Sequence, residues 1–284
     1  MMGNILEMLQ PAYITWDIGP EIFRAGVFSL RWYGLMFACA FVCGYYIMRM
    51  IFAREGVSQK KLDRLVWYMV IGTFVGARLG HCLFYESDYF LPRPLEILLP
   101  VARNAQGTLY FTGYQGLASH GAAIGILTAL FLFSRKECLP YLQVLDRIAV
   151  VTALSGFFIR IGNLMNSEIY GTETSLPWGF IFVQMGETVP RHPTQIYEAL
   201  SYLAIFILLC LLYVRTSAPQ QPGKLFGVFL VLLFSVRFLI ECIKENQVAF
   251  ENEMMLNMGQ ILSIPLIVTG FFLLLRKKTL LIQK

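Results

Sequence analysis

Residues 147–165, Arg147-Ile-Ala-Val-Val-Thr-Ala-Leu-Ser-Gly-Phe-Phe-Ile-Arg-Ile-Gly-Asn-Leu-Met165, are apolar for long enough to cross a hydrocarbon core as a helix, yet they carry Arg160 near one end. A charge at the centre of a bilayer costs roughly 2.5 to 3.5 kcal/mol on insertion scales, so this arginine needs a reason to be there. The stretch then dissolves into Asn166 and Glu168, and Gly162 lets another group approach the backbone. Arg160 and Asn163 lie one turn apart on the same side of such a helix. The combination points to a helix end that holds a ligand, and the ligand that suits a permanently charged fork of donors is an anion.

Six more stretches of similar length and polarity flank this one, at about 27–52, 63–84, 117–134, 195–214, 225–243 and 256–275. Apolar residues make up 57% of the 284 and charged residues only 14%, with a mean hydropathy of +0.60, a balance that excludes an ordinary soluble domain. The pattern predicts an all-α, polytopic membrane protein with about seven transmembrane helices, forming a single membrane domain over residues 1–284. Its two longest connections, about 85–116 and 166–194, are rich in Gly, Pro and aromatic residues, and loops of that length usually carry function. The N-terminal residues include Glu7, Asp17 and Glu21 and do not look like a cleaved signal peptide, so the first helix is expected to be its own anchor.

Most of the 23 Lys and Arg fall in loops that are cytoplasmic if the N-terminus is outside, which places the C-terminus in the cytoplasm. The net charge of +5 then reflects contact with an anionic inner leaflet, and nucleic acid is not an expected partner. The six cysteines form no CxxC pair and lie mostly in apolar helices, where they act as small hydrophobes. Neither a disulfide framework nor a metal or other cofactor is expected, since His and the carboxylates also lack ligand spacing such as HExxH.

In this orientation Arg31, Arg78, Arg160 and Arg237 all fall toward the outer ends of their stretches, level with Tyr33, His120, Asn163, Asn166, Glu168, His192, Gln195, Glu198 and Glu241. Polar groups from six helices are therefore expected to converge near the outer leaflet. Plainer roles exist for several of them. Arg237 and Glu241, four residues apart, can neutralise each other; Arg31 can snorkel; Ser119 and His120 can cap a helix; His192 before Pro193 suits a turn. Against this, histidine exchanges a proton near neutrality, and an ionisable group at bilayer depth is a functional candidate. His120 also sits in Gly116-Leu-Ala-Ser-His-Gly-Ala-Ala-Ile-Gly125, whose small residues permit close helix packing, and Glu198 needs a partner that an arginine would supply.

Read in order, Arg31-Trp-Tyr-Gly34, Gly76-Ala-Arg-Leu-Gly80 with Tyr85, Ser119-His-Gly-Ala-Ala-Ile-Gly125, Arg160-Ile-Gly-Asn163 with Asn166, Glu168 and Gly171, Arg191-His-Pro-Thr-Gln-Ile-Tyr-Glu198 and Arg237-Phe-Leu-Ile-Glu241 resemble the bacterial prolipoprotein diacylglyceryl transferases over about residues 20 to 275. The resemblance implies a multi-pass enzyme of the bacterial inner membrane, with its active site toward the outer leaflet. It would transfer diacylglycerol from phosphatidylglycerol to the lipobox cysteine in a prolipoprotein signal peptide, leaving a thioether and glycerol phosphate. It also implies that Tyr33, His120, Arg160, Asn163, Gly171, Arg237 and Glu241 are essential, with Glu168 in the signature. Asn166, Arg78, Tyr85 and His192 are expected at the substrate. Two positions depart from the family pattern: Ala122 stands where a second glycine follows the histidine, and Leu233 stands where a tyrosine is often found.

The implied reaction suits these side chains. A phosphodiester leaving as a phosphate monoester gains charge, which Arg160 and Arg237 can stabilise in a bidentate way. A free thiol has a pKa near 8.5, so a base raises its reactive fraction; His120 is the first candidate and Tyr33 the second. Asn163 can orient the headgroup and Glu241 can hold Arg237. Two other classes use embedded polar groups: a transporter for an anionic solute, which usually shows internal repeats and a midplane site, and an intramembrane protease, for which only Ser119 and His120 are adjacent.

Overall fold

The computed structural model describes residues 13–26, 28–99, 101–103, 108–111, 116, 118–245 and 254–276. Each of the seven apolar stretches contains a long helix. These are α1 (Trp32–Arg54), α2 (Gln59–Phe84), α5 (Ser119–Glu137), α6 (Tyr141–Met165), α7 (Thr194–Arg215), α8 (Lys224–Glu241) and α9 (Met258–Leu275), with two short helices, α3 (Ser87–Phe90) and α4 (Pro94–Leu98), between α2 and α5. Among the described residues five are long and apolar enough to cross a membrane: α1, α2, α6, α7 and α9. The other two are diluted by charge. Arg135, Lys136 and Glu137 end α5, and α8 carries Lys224, Arg237 and Glu241.

The chain is mostly helical, with short strand pairs beside the helices. Three two-stranded pairs occur: β1 (Ile14–Trp16) runs parallel to β6 (Phe180–Phe182), β2 (Glu21–Ala25) pairs antiparallel with β3 (Phe28–Arg31), and β4 (Val101–Arg103) pairs antiparallel with β5 (Leu109–Phe111). The second pair moves the start of the first helix from about 27 to Trp32. Gly26 turns the hairpin at φ +60°, a conformation glycine adopts freely. Arg31 is therefore a strand residue, largely exposed and 3.7 Å from Glu21, rather than a charge inside a helix.

The described chain forms two compact units. One comprises Met1–Met48 and Asp146–Lys284, the other Arg49–Leu145. In the first, α8 and α9 lie against each other through Gly227 and Gly270; a methyl added at Gly270 would stand 2.8 Å from a Val231 methyl. The N-terminus of α8 is met by a buried carboxylate on α6, where Asp146 accepts from the amides of Gly223 at 2.6 Å and Phe226 at 2.8 Å. Those amides have no partner inside their own helix, and the negative charge suits the positive end of its dipole. Helix α9 begins with a capping box in which Asn257 and Gln260 bond each other's backbone amides.

In the second unit α2 and α5 pack backbone to backbone. Gly72, Gly76 and Gly80 face Gly121 and Gly125 so closely that a methyl on Gly76 would fall on the Gly121 carbonyl and 2.7 Å from the Gly125 Cα. The small-residue run thus acts as the sequence predicts, bringing helices together where lipid offers no hydrophobic driving force. Gly76→Val must open this seam and is expected to cost about 1–3 kcal/mol, as overpacking does. The check is the thermal unfolding midpoint in detergent, against Gly19→Val, whose added carbon meets no atom within 4 Å among the described residues.

Candidate active site

The end of α6 is built by side chains closing onto one another. Asn163 donates to Glu168 Oε1 at 2.7 Å and Asn166 to the same oxygen at 3.4 Å, while Arg160 Nη1 donates to Asn163 Oδ1 at 3.1 Å. The chain turns sharply here, with Ser167 and Ile169 at positive φ (53° and 62°), a costly geometry for residues other than glycine. It is held from α7, where Gln195 donates to the Glu168 carbonyl and Thr194 to the Ile169 carbonyl, each at 2.8 Å. Trp16 adds a third tie, its indole donating to the Leu164 carbonyl at 3.2 Å while its ring packs on Phe180.

From this turn a row of alternating charges crosses the unit. Arg160 Nε lies 2.8 Å from Glu198 Oε2, Glu198 Oε1 is 3.4 Å from Lys244 Nζ, Lys244 Nζ is 3.3 Å from Glu241 Oε1, and Glu241 Oε1 is 3.5 Å from Arg237 Nη2. Glu198 and Lys244 are buried. Tyr202 joins the row through Arg160 and through Glu198 Oε1 at 3.4 Å, and Asn257 donates to Glu241 Oε2 at 3.2 Å. In surroundings this dry, removing one partner leaves an uncompensated charge and typically costs about 3–5 kcal/mol. The row ends in the two arginines, and Arg237 is its most exposed member, with 34% of its side chain accessible.

Tyr33, at the start of α1, packs its ring on Gly162, where an added methyl would stand 2.9 Å from Tyr33 Cδ2, and its hydroxyl feels the charges of both Glu168 and Arg160. Gly171 bridges to Lys244 along the backbone. A methyl there would fall on the Ile243 carbonyl and 2.8 Å from the His192 Cβ, so the glycine is what lets the segment after α8 lie on the segment after α6 and deliver Lys244 to Glu198. His192 exchanges backbone bonds with Gly171 and Thr172 and meets the Tyr197 hydroxyl at 3.3 Å; burial holds its ring below the usual histidine pKa. Nearby, Arg191 is spent on Glu187, Glu245 and Glu173, and burial and the Glu187 hydrogen bond push the Tyr170 phenol up to about 12.

Tyr33, Arg160, Asn163, Asn166, Glu168, Gly171, His192, Arg237 and Glu241 thus all lie in the first unit. Arg78, Tyr85 and His120 belong to the second. Arg78 is buried and donates to the carbonyls of Glu96 at 2.6 Å and Ile97 at 3.2 Å, with Phe90 beneath it. Tyr85 is exposed and stacks on His81, a histidine the sequence reading passed over, whose Nε2 reaches Glu86 at 3.4 Å. His120 is the second residue of α5 and exposed; the cap of that helix is Ala118, with no side-chain bond, so the capping role does not hold for His120. Among the described residues no three His, Cys, Asp or Glu side chains are grouped to hold a metal.

Sequence reasoning also missed Lys244. Its signal was the spacing Arg237, Glu241, Lys244, which keeps three charges on one side of a helix and its continuation.

These features define a multi-pass helical membrane protein whose first unit presents two arginines at the ends of a buried ion-pair row. The chain belongs to the prolipoprotein diacylglyceryl transferase family, whose model matches residues 20–276. It is 45% identical over 265 residues to the phosphatidylglycerol–prolipoprotein diacylglyceryl transferase of Tolumonas auensis, covering 92% of this chain and 96% of that protein. The correspondingly named protein of Bacteroides fragilis is 43% identical over 259 residues (91% and 93%), and that of Porphyromonas gingivalis 43% over 284 (95% and 96%).

Glu198→Gln leaves Arg160 and Lys244 facing each other across a neutral amide and should lower stability by about 3–5 kcal/mol. Adding Lys244→Met to it should restore part of the loss, a coupling that a double-mutant cycle of unfolding midpoints reads directly. Strict additivity of the two changes would contradict the charge row.

Proposed function

We propose that the chain transfers the diacylglyceryl group of phosphatidylglycerol to the lipobox cysteine thiol of prolipoproteins, the first step of lipoprotein maturation. The observation that carries the reading is the pair Arg160 and Arg237 at the two ends of one ion-pair row, in a chain matched by the family model over residues 20–276. The thiolate sulfur attacks the glycerol carbon that bears the phosphate, a carbon–sulfur bond forms, and the carbon–oxygen bond breaks. The phosphodiester departs as glycerol phosphate, and the thiol proton goes to a base.

Arg160 and Arg237 bind the departing oxygens, where charge grows in the transition state. Glu198, Lys244 and Glu241 hold those guanidinium groups in place, and Asn163, Asn166 and Glu168 orient the headgroup beside them. His120 takes the thiol proton, with Tyr33 as the alternative base. Gly171 and His192 shape the wall of the site, and Arg78 and Tyr85 steady the segment that follows α2. No metal or cofactor takes part.

The same reading makes the protein a single seven-span domain of the bacterial inner membrane, its N-terminus outside, its C-terminus cytoplasmic and its site toward the outer leaflet. The positive charge at Lys60, Lys61, Arg64, Arg135 and Lys136 supports this orientation. Reporter fusions at Phe180 should read as external, and fusions at Ser58, Glu137 and Pro219 as cytoplasmic. A cytoplasmic reading at Phe180 would move the site to the other face.

Purified protein incubated with phosphatidylglycerol and a lipobox peptide should yield a peptide heavier by one diacylglyceryl group, only when the cysteine is present. Peptide cleavage would favour a protease, and anion flux in proteoliposomes without a mass change a transporter. Arg160→Lys or Arg237→Lys should cost about 2 to 4 kcal/mol of transition-state stabilisation, since lysine lacks the bidentate fork. His120→Gln should lose most activity at neutral pH and less as pH rises and the thiol ionises unaided; equal loss at every pH would pass the base role to Tyr33.

A further inference from the structure

The close packing of α2 on α5 has a second result besides holding the helices together. Because five glycines lie at their seam, the two helices form a groove of about 700 Å³ rather than a ridge, lined by apolar side chains such as Trp67, Ile71, Val75 and Leu132 and by Thr128, whose hydroxyl is turned to the Ile124 carbonyl. One end of that lining is not apolar. It consists of Arg64 and Lys136, with Trp67 and Tyr68 next along the groove. Cations beside tryptophan and tyrosine are what a membrane-spanning surface shows at the level of lipid headgroups.

The charge at this end is arranged rather than incidental. Glu137 is buried and takes Arg64 Nη1 at 2.5 Å on one oxygen, with Lys61 Nζ at 3.7 Å from the other and 2.9 Å from its carbonyl. One carboxylate thus fixes two cations, while Arg135 and Lys136 precede it on the same helix end, with the Arg135 guanidinium over the Phe131 ring. Asp63 on the same helix accepts from Gln59 at 3.0 Å and does not line the groove. A net positive mouth therefore opens onto an apolar channel. Half of a hydrocarbon core, about 15 Å, corresponds to about ten residues of helix, which carries the channel from Arg64 to the neighbourhood of Val75.

We propose that this groove is a binding site for one anionic phospholipid, its phosphate at Arg64 and Lys136 and an acyl chain along Ile71, Val75 and Thr128. The site lies at the opposite end of α2 from Arg78, in the cytoplasmic leaflet if the orientation proposed above is right, and it holds a lipid that is bound and not consumed. The binding claim needs only the membrane reading of the chain; its leaflet rests on the proposed topology.

The test is native mass spectrometry of the full chain, purified in detergent and offered equal amounts of phosphatidylserine and phosphatidylcholine with matched acyl chains. Phosphatidylserine is anionic but is not the proposed substrate. One phosphatidylserine should be retained in preference to phosphatidylcholine, and Lys136→Gln should reduce that preference about fivefold, as loss of one cation near a headgroup does. Val75→Trp with Thr128→Trp, both at exposed positions, should fill the channel and remove the adduct of either lipid. Arg160→Lys should leave the adduct in place while strongly lowering transfer to the peptide, so the two readings fail separately. An unchanged preference in Lys136→Gln, an adduct that survives channel filling, or one that disappears in Arg160→Lys would overturn the proposal; the last outcome would assign the lipid to the transferase site instead.

Discussion

Everything around the site answers to one constraint: a guanidinium cannot be left without a counter-charge where water is scarce. Arg160 meets it with Glu198, and Glu198, being buried on α7, brings in Lys244 as well, which in turn engages Glu241 and through it Arg237. Each member has a neighbour of opposite sign, so no single charge bears the full cost of leaving water. The row also ends on cations. Those two arginines are held differently: Arg160 is bonded to Glu198 and Asn163, while Arg237 meets Glu241 with a third of its side chain exposed.

The surrounding backbone follows from that requirement. Lys244 reaches Glu198 only because the segment after α8 is paired on Gly171, and Gly171 can be approached only because it has no side chain. Asn163 and Glu168 fold the end of α6 back toward Arg160 at the cost of two residues in left-handed conformations. The strain is local and the ties from Gln195, Thr194 and Trp16 are several, which is how an unfavourable turn persists.

The helices were legible because a membrane span announces itself through length and composition, and all seven stretches are helical in their interiors. The hairpin at β2 and β3 was not, because Phe28 and Leu30 simply extend the apolar run of α1; Pro20 and Gly26 were the marks that separated them. In the site, the need for a partner at Glu198 could be read from burial logic alone, and Arg160 supplies it. The identity of Lys244 as the middle of the row could not, since it depends on a backbone bridge between segments far apart in sequence. Arg78 shows the same limit: its type and depth suggest a ligand, while its donors go to the carbonyls of Glu96 and Ile97.

The pairing of β1 with β6 has a consequence for the order of events on the ribosome. The Trp16 indole is held by the Leu164 carbonyl, 148 residues further along the chain, and its strand pairs parallel to residues that emerge later still. At about 5–20 residues per second, synthesis separates the first strand from its acceptor by roughly 7 to 30 s. Through that interval Ile14, Thr15 and Trp16 lack their partner strand, and the Trp16 indole lacks its acceptor. The charge row waits longer still, because Arg237, Glu241 and Lys244 emerge after the strand that completes the β1 pair.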